Sequence, residues 1–145
     1  MHESWTDGAL ARMRSETGRN GGARRIVVEF LGGQDCCVSA QEIHDAVRAG
    51  GARVGIASVY RTLDRLDELG LVQRVDLGDG VSRFERADPR GDHHHHLVCD
   101  DCGKVEPFED PVLEAAIADI AGGRGYDVAA HDVVLRGACG DCRAA

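Results

Sequence analysis

The 145-residue chain lacks any stretch approaching the roughly 20 consecutive apolar residues that cross a bilayer, which excludes a membrane-spanning helix. Its start, MHESWTDGALARMRSE, lacks the basic-then-apolar order of a secretory signal. A cytoplasmic protein with no membrane partner is expected. Internal repeats are absent, and the run of histidines at 93–96 is the one low-complexity tract. Lysine is nearly missing, Lys104 being the single example, and nothing follows from that. A positive excess is missing as well. The net charge of −8 at first opposes a nucleic-acid partner, because phosphate binding needs a positive footprint. Its distribution softens the objection: residues 1–87 carry 12 arginines against 13 acids, a balance of −1, while residues 88–145 carry 5 basic residues against 12 acids, −7. Bound divalent cations would cancel part of the acid in the second half, and helix-borne arginines of the first half can meet a duplex.

What is present begins with six cysteines. In a chain expected inside the cell they read better as metal ligands or redox groups than as disulfides. At this length the chain makes one medium domain or two small ones, and small domains bury too little surface without a staple such as a metal.

Apolar spacing organises the first half. Residues 4–17 carry Trp5, Leu10 and Met13 on a weak helical pattern, broken by TGRNGG. Ile26, Val27, Phe30 and Leu31 predict a second helix closed by Gly32-Gly33. Ser39 followed by Glu42 is a capping-box signature, opening a helix expected to bury Ile43, Ala46 and Val47 and to stop at Gly50-Gly51. Ile56, Val59, Leu63, Leu66 and Leu69 line the buried side of the next helix, leaving Ser58, Tyr60, Arg61 and Arg65 on the other. Two alternating runs, Leu71–Leu77 and Val81–Glu85, flank Gly78-Asp79-Gly80 and predict a hairpin. Helix, helix, hairpin is the winged-helix order. A small helical core without any DNA role has the same periodicity.

The polar segment ADPRGD suits a hinge, so the expected domains are 1–87, a linker over 88–92, and 93–145. Beyond it, His93–Val98 and Lys104–Phe108 are expected as strands, followed by a helix from Pro111 with Val112, Leu113, Ala116, Ile117 and Ile120 inward. Tyr126–Val128 and Asp132–Arg136 are expected as further strands. The fold class is α+β: a winged helix plus a small α/β domain.

Cys99-Asp-Asp-Cys102 and Cys139-Gly-Asp-Cys142 are two C-x-x-C pairs separated by 36 residues. A two-residue gap lets both thiolates of one pair reach a tetrahedral ion at roughly 2.3 Å each, and two pairs complete a closed, structural zinc site. A thioredoxin-like pair is the alternative, but such pairs seldom come twice in a short chain, and neither opens a helix after a strand. On a strand, His93 and His95 leave one face and His94 and His96 the other, so one tetrapeptide can serve two metal sites. Solvated histidines or a tag are the plainer readings, though a tag is normally terminal. Adjacent cysteines rarely share an ion, and a buried thiol is an ordinary core residue; of Cys36 and Cys37, the latter is the stronger candidate ligand. Glu85, ending the wing near the linker, is either a ligand or an exposed acid.

Taken together, S-A-x-E-I-H, G-I-A-S-V-Y-R-T-L, Phe84-Glu85 and H-H-H-H-L-V-C-D-D-C-G-K-V, with the closing C-x-x-C, resemble the ferric uptake regulator family from about Arg24 to Cys142. The resemblance implies a homodimeric winged-helix repressor of metal-uptake genes, iron or zinc, bound to double-stranded promoter DNA. It implies no catalysis and no small-molecule substrate. Tyr60 and Arg61 match the family's DNA-contacting pair, with Ser58, Arg65 and Arg24 as further candidates; Tyr can pack on a thymine methyl and Arg can pair with guanine or phosphate. Structural zinc falls on Cys99, Cys102, Cys139 and Cys142. A hinge-facing regulatory site looks like Cys37, Glu85, His94 and His96, with Glu106 or Glu109 substituting for a carboxylate that meets Pro107. A second site matches His93, His95, Glu114 and His131. Zn2+, Fe2+ and Mn2+ are the candidate co-repressors; Cys37, where iron-responsive members have histidine, pulls toward zinc. Peroxide sensing within the family, and zinc-dependent hydrolysis outside it, are the alternatives.

Overall fold

The computed structural model describes residues 4–17, 21–87 and 94–144. The chain divides into two compact units, Met1–Gly91 and Asp92–Ala145. The expected linker 88–92 and His93 lie outside the described residues.

In the first unit, α1 (Trp5–Thr17), α2 (Gly22–Gly32), α3 (Ala40–Ala49) and α4 (Ile56–Glu68) pack over a three-stranded sheet ordered β1 (Val38–Ser39), β3 (Ser82–Arg86), β2 (Val72–Asp76). The capping box at α3 is present: the Glu42 N–H donates to Ser39 Oγ at 3.1 Å while the Ser39 N–H donates to the Glu42 carboxylate at 3.3 Å. The buried stripe of α3 runs Ala40, Ile43, Val47. Ala46, expected inward, is exposed, because the three-and-four spacing opened at Ala40 passes through 43 and 47 and leaves 46 outside it. From α4 come Val59, Leu63 and Leu66, which meet Val27, Val28 and Leu31 of α2 and Phe84 of the wing in one core. The indole N–H of Trp5 donates to Leu71 O at 2.9 Å and fixes α1 to the start of the hairpin. At the wing tip, Asp79 accepts from the Val81 N–H and from Arg83, which sets the turn. Strand β1 gave no periodic signal, since two residues cannot show one.

The second unit is a three-stranded sheet ordered β5 (Val105–Phe108), β4 (His95–Cys99), β6 (Val134–Gly137), with α5 (Pro111–Gly123) and the single turn α6 (Gly140–Arg143). Strand β4 runs antiparallel to β5 and parallel to β6. Asp110 caps α5 through the N–H groups of Val112 and Leu113. Several expectations are corrected. The second C-x-x-C pair does open a helix after a strand, since Cys139 stands at the N-cap of α6, which follows β6; the case against a redox pair then rests on the motif coming twice. Tyr126–Val128 forms no strand, and β6 starts at Val134 rather than Asp132. No residue of α5 is buried, and Val112 and Ile120, expected inward, are 78% and 61% exposed. The helical period was right; this unit alone supplies no interior for that face. Among the described residues the fold class is α+β, a winged helix and a small α/β unit.

Helices α1 and α2 cross closely at Gly32, where a Cβ would stand 2.0 Å from Thr6 Oγ1. Replacing Gly32 by Ala is expected to cost roughly 1–3 kcal/mol through overpacking. Gly8→Ala, where a Cβ meets nothing within 4 Å, is expected to gain roughly 0.5–1 kcal/mol from helix propensity. Urea denaturation of the two variants distinguishes them, and equal midpoints would refute the close crossing.

Candidate metal centres and nucleic-acid interface

The four-sulfur group is assembled by the β4–β6 pairing. Cys99 ends β4 opposite Gly137, which delivers the second knuckle against the first. The Asp100 N–H donates to Gly137 O at 2.8 Å, and Arg136 pairs with the Asp100 carboxylate at 2.9 Å, locking the two turns together. Gly103 takes the left-handed φ of 79° that tightens the first turn. The result places Cys99 Sγ 3.7 Å from Cys142 Sγ and Cys102 Sγ 3.8 Å from Cys139 Sγ. A tetrahedral ion with bonds of roughly 2.3 Å requires sulfurs about 3.8 Å apart, so the tetrad fits zinc. The backbone N–H of Cys139, 3.2 Å from Cys99 Sγ, leads a set of N–H groups that lower the Cys99 thiol to about 6. Its neighbour Cys142 is pushed up to about 12 by the other sulfurs, Cys139 first.

A second group lies in the same unit. His95, 1% exposed, stands with Nε2 2.5 Å from one oxygen of Glu114, and His131 Nε2 is 2.7 Å from the other. The Val133 N–H donates to His95 Nδ1 at 3.2 Å and orients the ring. Glu114, on α5, has its carboxyl held below the ordinary range, chiefly by His95. These three ligand atoms converge tightly enough to hold a divalent ion. Alternate residues of the histidine run go the other way: His94 and His96 sit edge to face with ring centroids 4.9 Å apart. Glu106 is exposed and paired with Lys104 at 3.2 Å; Glu109 is also exposed.

In the first unit, Cys37 and Glu85 are both buried. The β1–β3 register pairs Val38 with Phe84, so Cys37 falls across from Glu85. Gln73 pairs with Glu85 on the other side and donates an amide N–H to its carboxylate. Cys36 Sγ lies 4.0 Å from Cys37 Sγ, and that neighbour, followed by burial, pushes the Cys37 thiol up. Gln73 was not foreseen; its place opposite Glu85 in the hairpin register was the available signal.

Helix α4 turns Val59, Leu63 and Leu66 into the core and leaves Tyr60, 49% exposed, beside exposed Arg61 on the outer face. Arg61 donates to Ser58 Oγ at 2.9 Å, so the guanidinium is partly ordered. Arg65 pairs with Glu68 at 2.6 Å, and Arg24 is half-buried on α2. The helix is tied to the wing by Arg74, which reaches Asp64 and Asp67 at 3.6 and 3.5 Å while lying 5.0 Å over the Phe84 ring.

The sequence model described as "Ferric uptake regulator family" matches residues 16–136. The chain belongs to the ferric uptake regulator family. It is similar to the ferric uptake regulation protein of Escherichia coli (strain K12), 40% identical over 108 residues that cover 73% of this chain and 72% of the relative. The Vibrio cholerae ferric uptake regulator superposes with a TM-score of 0.75 at 33% identity, covering 88% of this chain and 98% of that one. That of Helicobacter pylori, described as having three functional metal binding sites, superposes with a TM-score of 0.80 at 27% identity, covering 95% and 93%. As a member of this family the chain is a metal-responsive transcription regulator and not an enzyme, which sets the hydrolase alternative aside.

The depressed Cys99 thiol has a measurable consequence. Near pH 7 it is already ionised, whereas near pH 5, below its value of about 6, it holds a proton. The first equivalent of zinc added to metal-free protein is therefore expected to release about one more proton at the lower pH than at the higher. Indicator titration at the two pH values checks this; equal release would mean that the backbone N–H groups leave Cys99 unperturbed.

Proposed function

We propose that the protein is a cytoplasmic, homodimeric repressor that binds double-stranded promoter DNA when a divalent cation occupies a sensory site. The observation that carries the reading is the burial of Cys37 and Glu85 within the same unit that presents Tyr60 and Arg61. The strand register sets the thiol across from the acid, a pairing of donor types that a divalent cation can draw on. In this reading Cys99, Cys102, Cys139 and Cys142 hold a structural zinc, and Cys37 and Glu85 with His94 and His96 form the sensory site. His95, Glu114 and His131, with His93, form a second site. The sensed cation is Zn2+, Fe2+ or Mn2+, and iron- or zinc-uptake genes are the targets.

When bound, the cation supplies the charge that lets thiolate and carboxylate of one unit and imidazoles of the other be held at one point. Cys37 and Glu85 then fix the winged helix relative to the second unit, and a cation that favours that pose shifts the population toward it. Val59, Leu63 and Leu66 anchor α4 from behind while Tyr60 and Arg61 face the bases, with Ser58 steadying the guanidinium and Arg65 and Arg24 near the backbone phosphates. The exposed apolar side chains Val112, Ile120, Tyr126 and Val128 supply the surface for the second copy.

Anisotropy titrations of duplex DNA carrying the target promoter test this. Chelation is expected to abolish high-affinity binding, and Arg61→Ala to weaken it by roughly 1–3 kcal/mol with unchanged unfolding; affinity indifferent to both would overturn the reading. Ile120→Glu is expected to weaken dimerisation at least about tenfold in sedimentation experiments. A dimer of undiminished strength would move the interface elsewhere.

A further inference from the structure

Resting on the sensory-site reading, we propose that Cys36 is a metal ligand alongside Cys37 and Glu85, so that the winged-helix unit itself supplies two sulfurs and a carboxylate and selects a thiophilic divalent cation of the zinc class. Neighbouring side chains on a regular strand point apart, which is why adjacent cysteines seldom share an ion. Cys36 is not on the strand. It occupies the bend at 35–36 just before β1, and there its sulfur swings to the side of Cys37. The resulting separation of 4.0 Å is close to the 3.7 and 3.8 Å of the four-cysteine group. It is also close to the roughly 3.8 Å that a tetrahedral ion requires.

The surroundings are built to keep this geometry. Arg86 of β3 donates to Gln34 O at 3.0 Å, holding the bend against the wing. The strand register places Glu85 opposite Cys37, and the Gln73 amide orients the Glu85 carboxylate from the far side. An outer hydrogen bond of this kind is what fixes a ligating carboxylate. Three ligands from one unit leave a single tetrahedral position for an imidazole, His94 or His96. Two thiolates with a carboxylate and an imidazole suit zinc; ferrous iron and manganese prefer six-coordinate oxygen and nitrogen donors.

Cobalt(II) titration of the full-length, metal-free protein tests the assignment, with sulfur-to-cobalt charge-transfer absorption read per equivalent. The four-cysteine group takes the first equivalent. Those that follow are expected to add about half that intensity in total, and Cys36→Ser and Cys37→Ser each to remove about half of the increment. Cys36→Ser is also expected to weaken zinc at this site at least about tenfold, since even outer-shell partners carry that much affinity. Alkylation of the unmutated protein, followed by mass spectrometry, needs no variant: zinc is expected to slow modification of Cys36 at least about tenfold. An increment equal to one sulfur and unaltered by Cys36→Ser, or alkylation of Cys36 that zinc does not slow, overturns the proposal. If zinc still strengthens duplex binding in that case, the sensory reading stands without it. Both sulfurs ligated with duplex affinity indifferent to zinc would instead sink the sensory reading.

Discussion

Thiolates and carboxylates repel one another at close range and lose hydration when gathered, so a fold that assembles them must hold them by other means until a cation arrives. The candidate donor groups of this protein have such holders. Cys99 is stabilised by peptide N–H groups, led by that of Cys139, and its knuckle is pinned by Arg136 on Asp100. Glu114 is shared between two imidazoles, and Glu85 is steadied by Gln73. The β4–β6 parallel pairing is the backbone expression of the same need, since it carries Cys139 and Cys142 back to Cys99 and Cys102 over a long loop. Closing that loop costs chain entropy, which a bound ion offsets.

The winged-helix unit meets a different demand. Its apolar stripes are continuous, and its core needs no metal: α2, α3, α4 and Phe84 interlock. What must be controlled is the attitude of α4 relative to the wing. Arg74 does this from the hairpin, with its charge on Asp64 and Asp67 and its flat face on Phe84. Two of the three acids of α4 are thereby kept engaged with the wing, and the third, Glu68, is paired with Arg65.

Much of this was legible in residue spacing. The 3.6-residue periods of α2, α3 and α4, the Ser39–Glu42 cap and the paired C-x-x-C motifs are local features, and local physics predicts them. What escaped was decided by tertiary partners. Strand β1 exists because β3 pairs with it, whereas Tyr126–Val128 has strand-like residues but pairs with no strand among the described residues. The α5 stripe predicted an interior correctly in period but not in place, because periodicity says which face is apolar and not what covers it. At the donor groups, residue types suggested ligands, whereas Gln73 needed the hairpin register and the Cys36 sulfur needed the shape of a bend.

One residue, Val38, separates Cys37 from Ser39, whose hydroxyl begins α3. A displacement at the sulfur therefore has almost no backbone torsions in which to dissipate before it reaches a rigid helix. On the proposed sensory reading the segment would serve as a push-rod rather than a tether, passing a pull on the cysteine to the helix end with little slack in the chain to damp it.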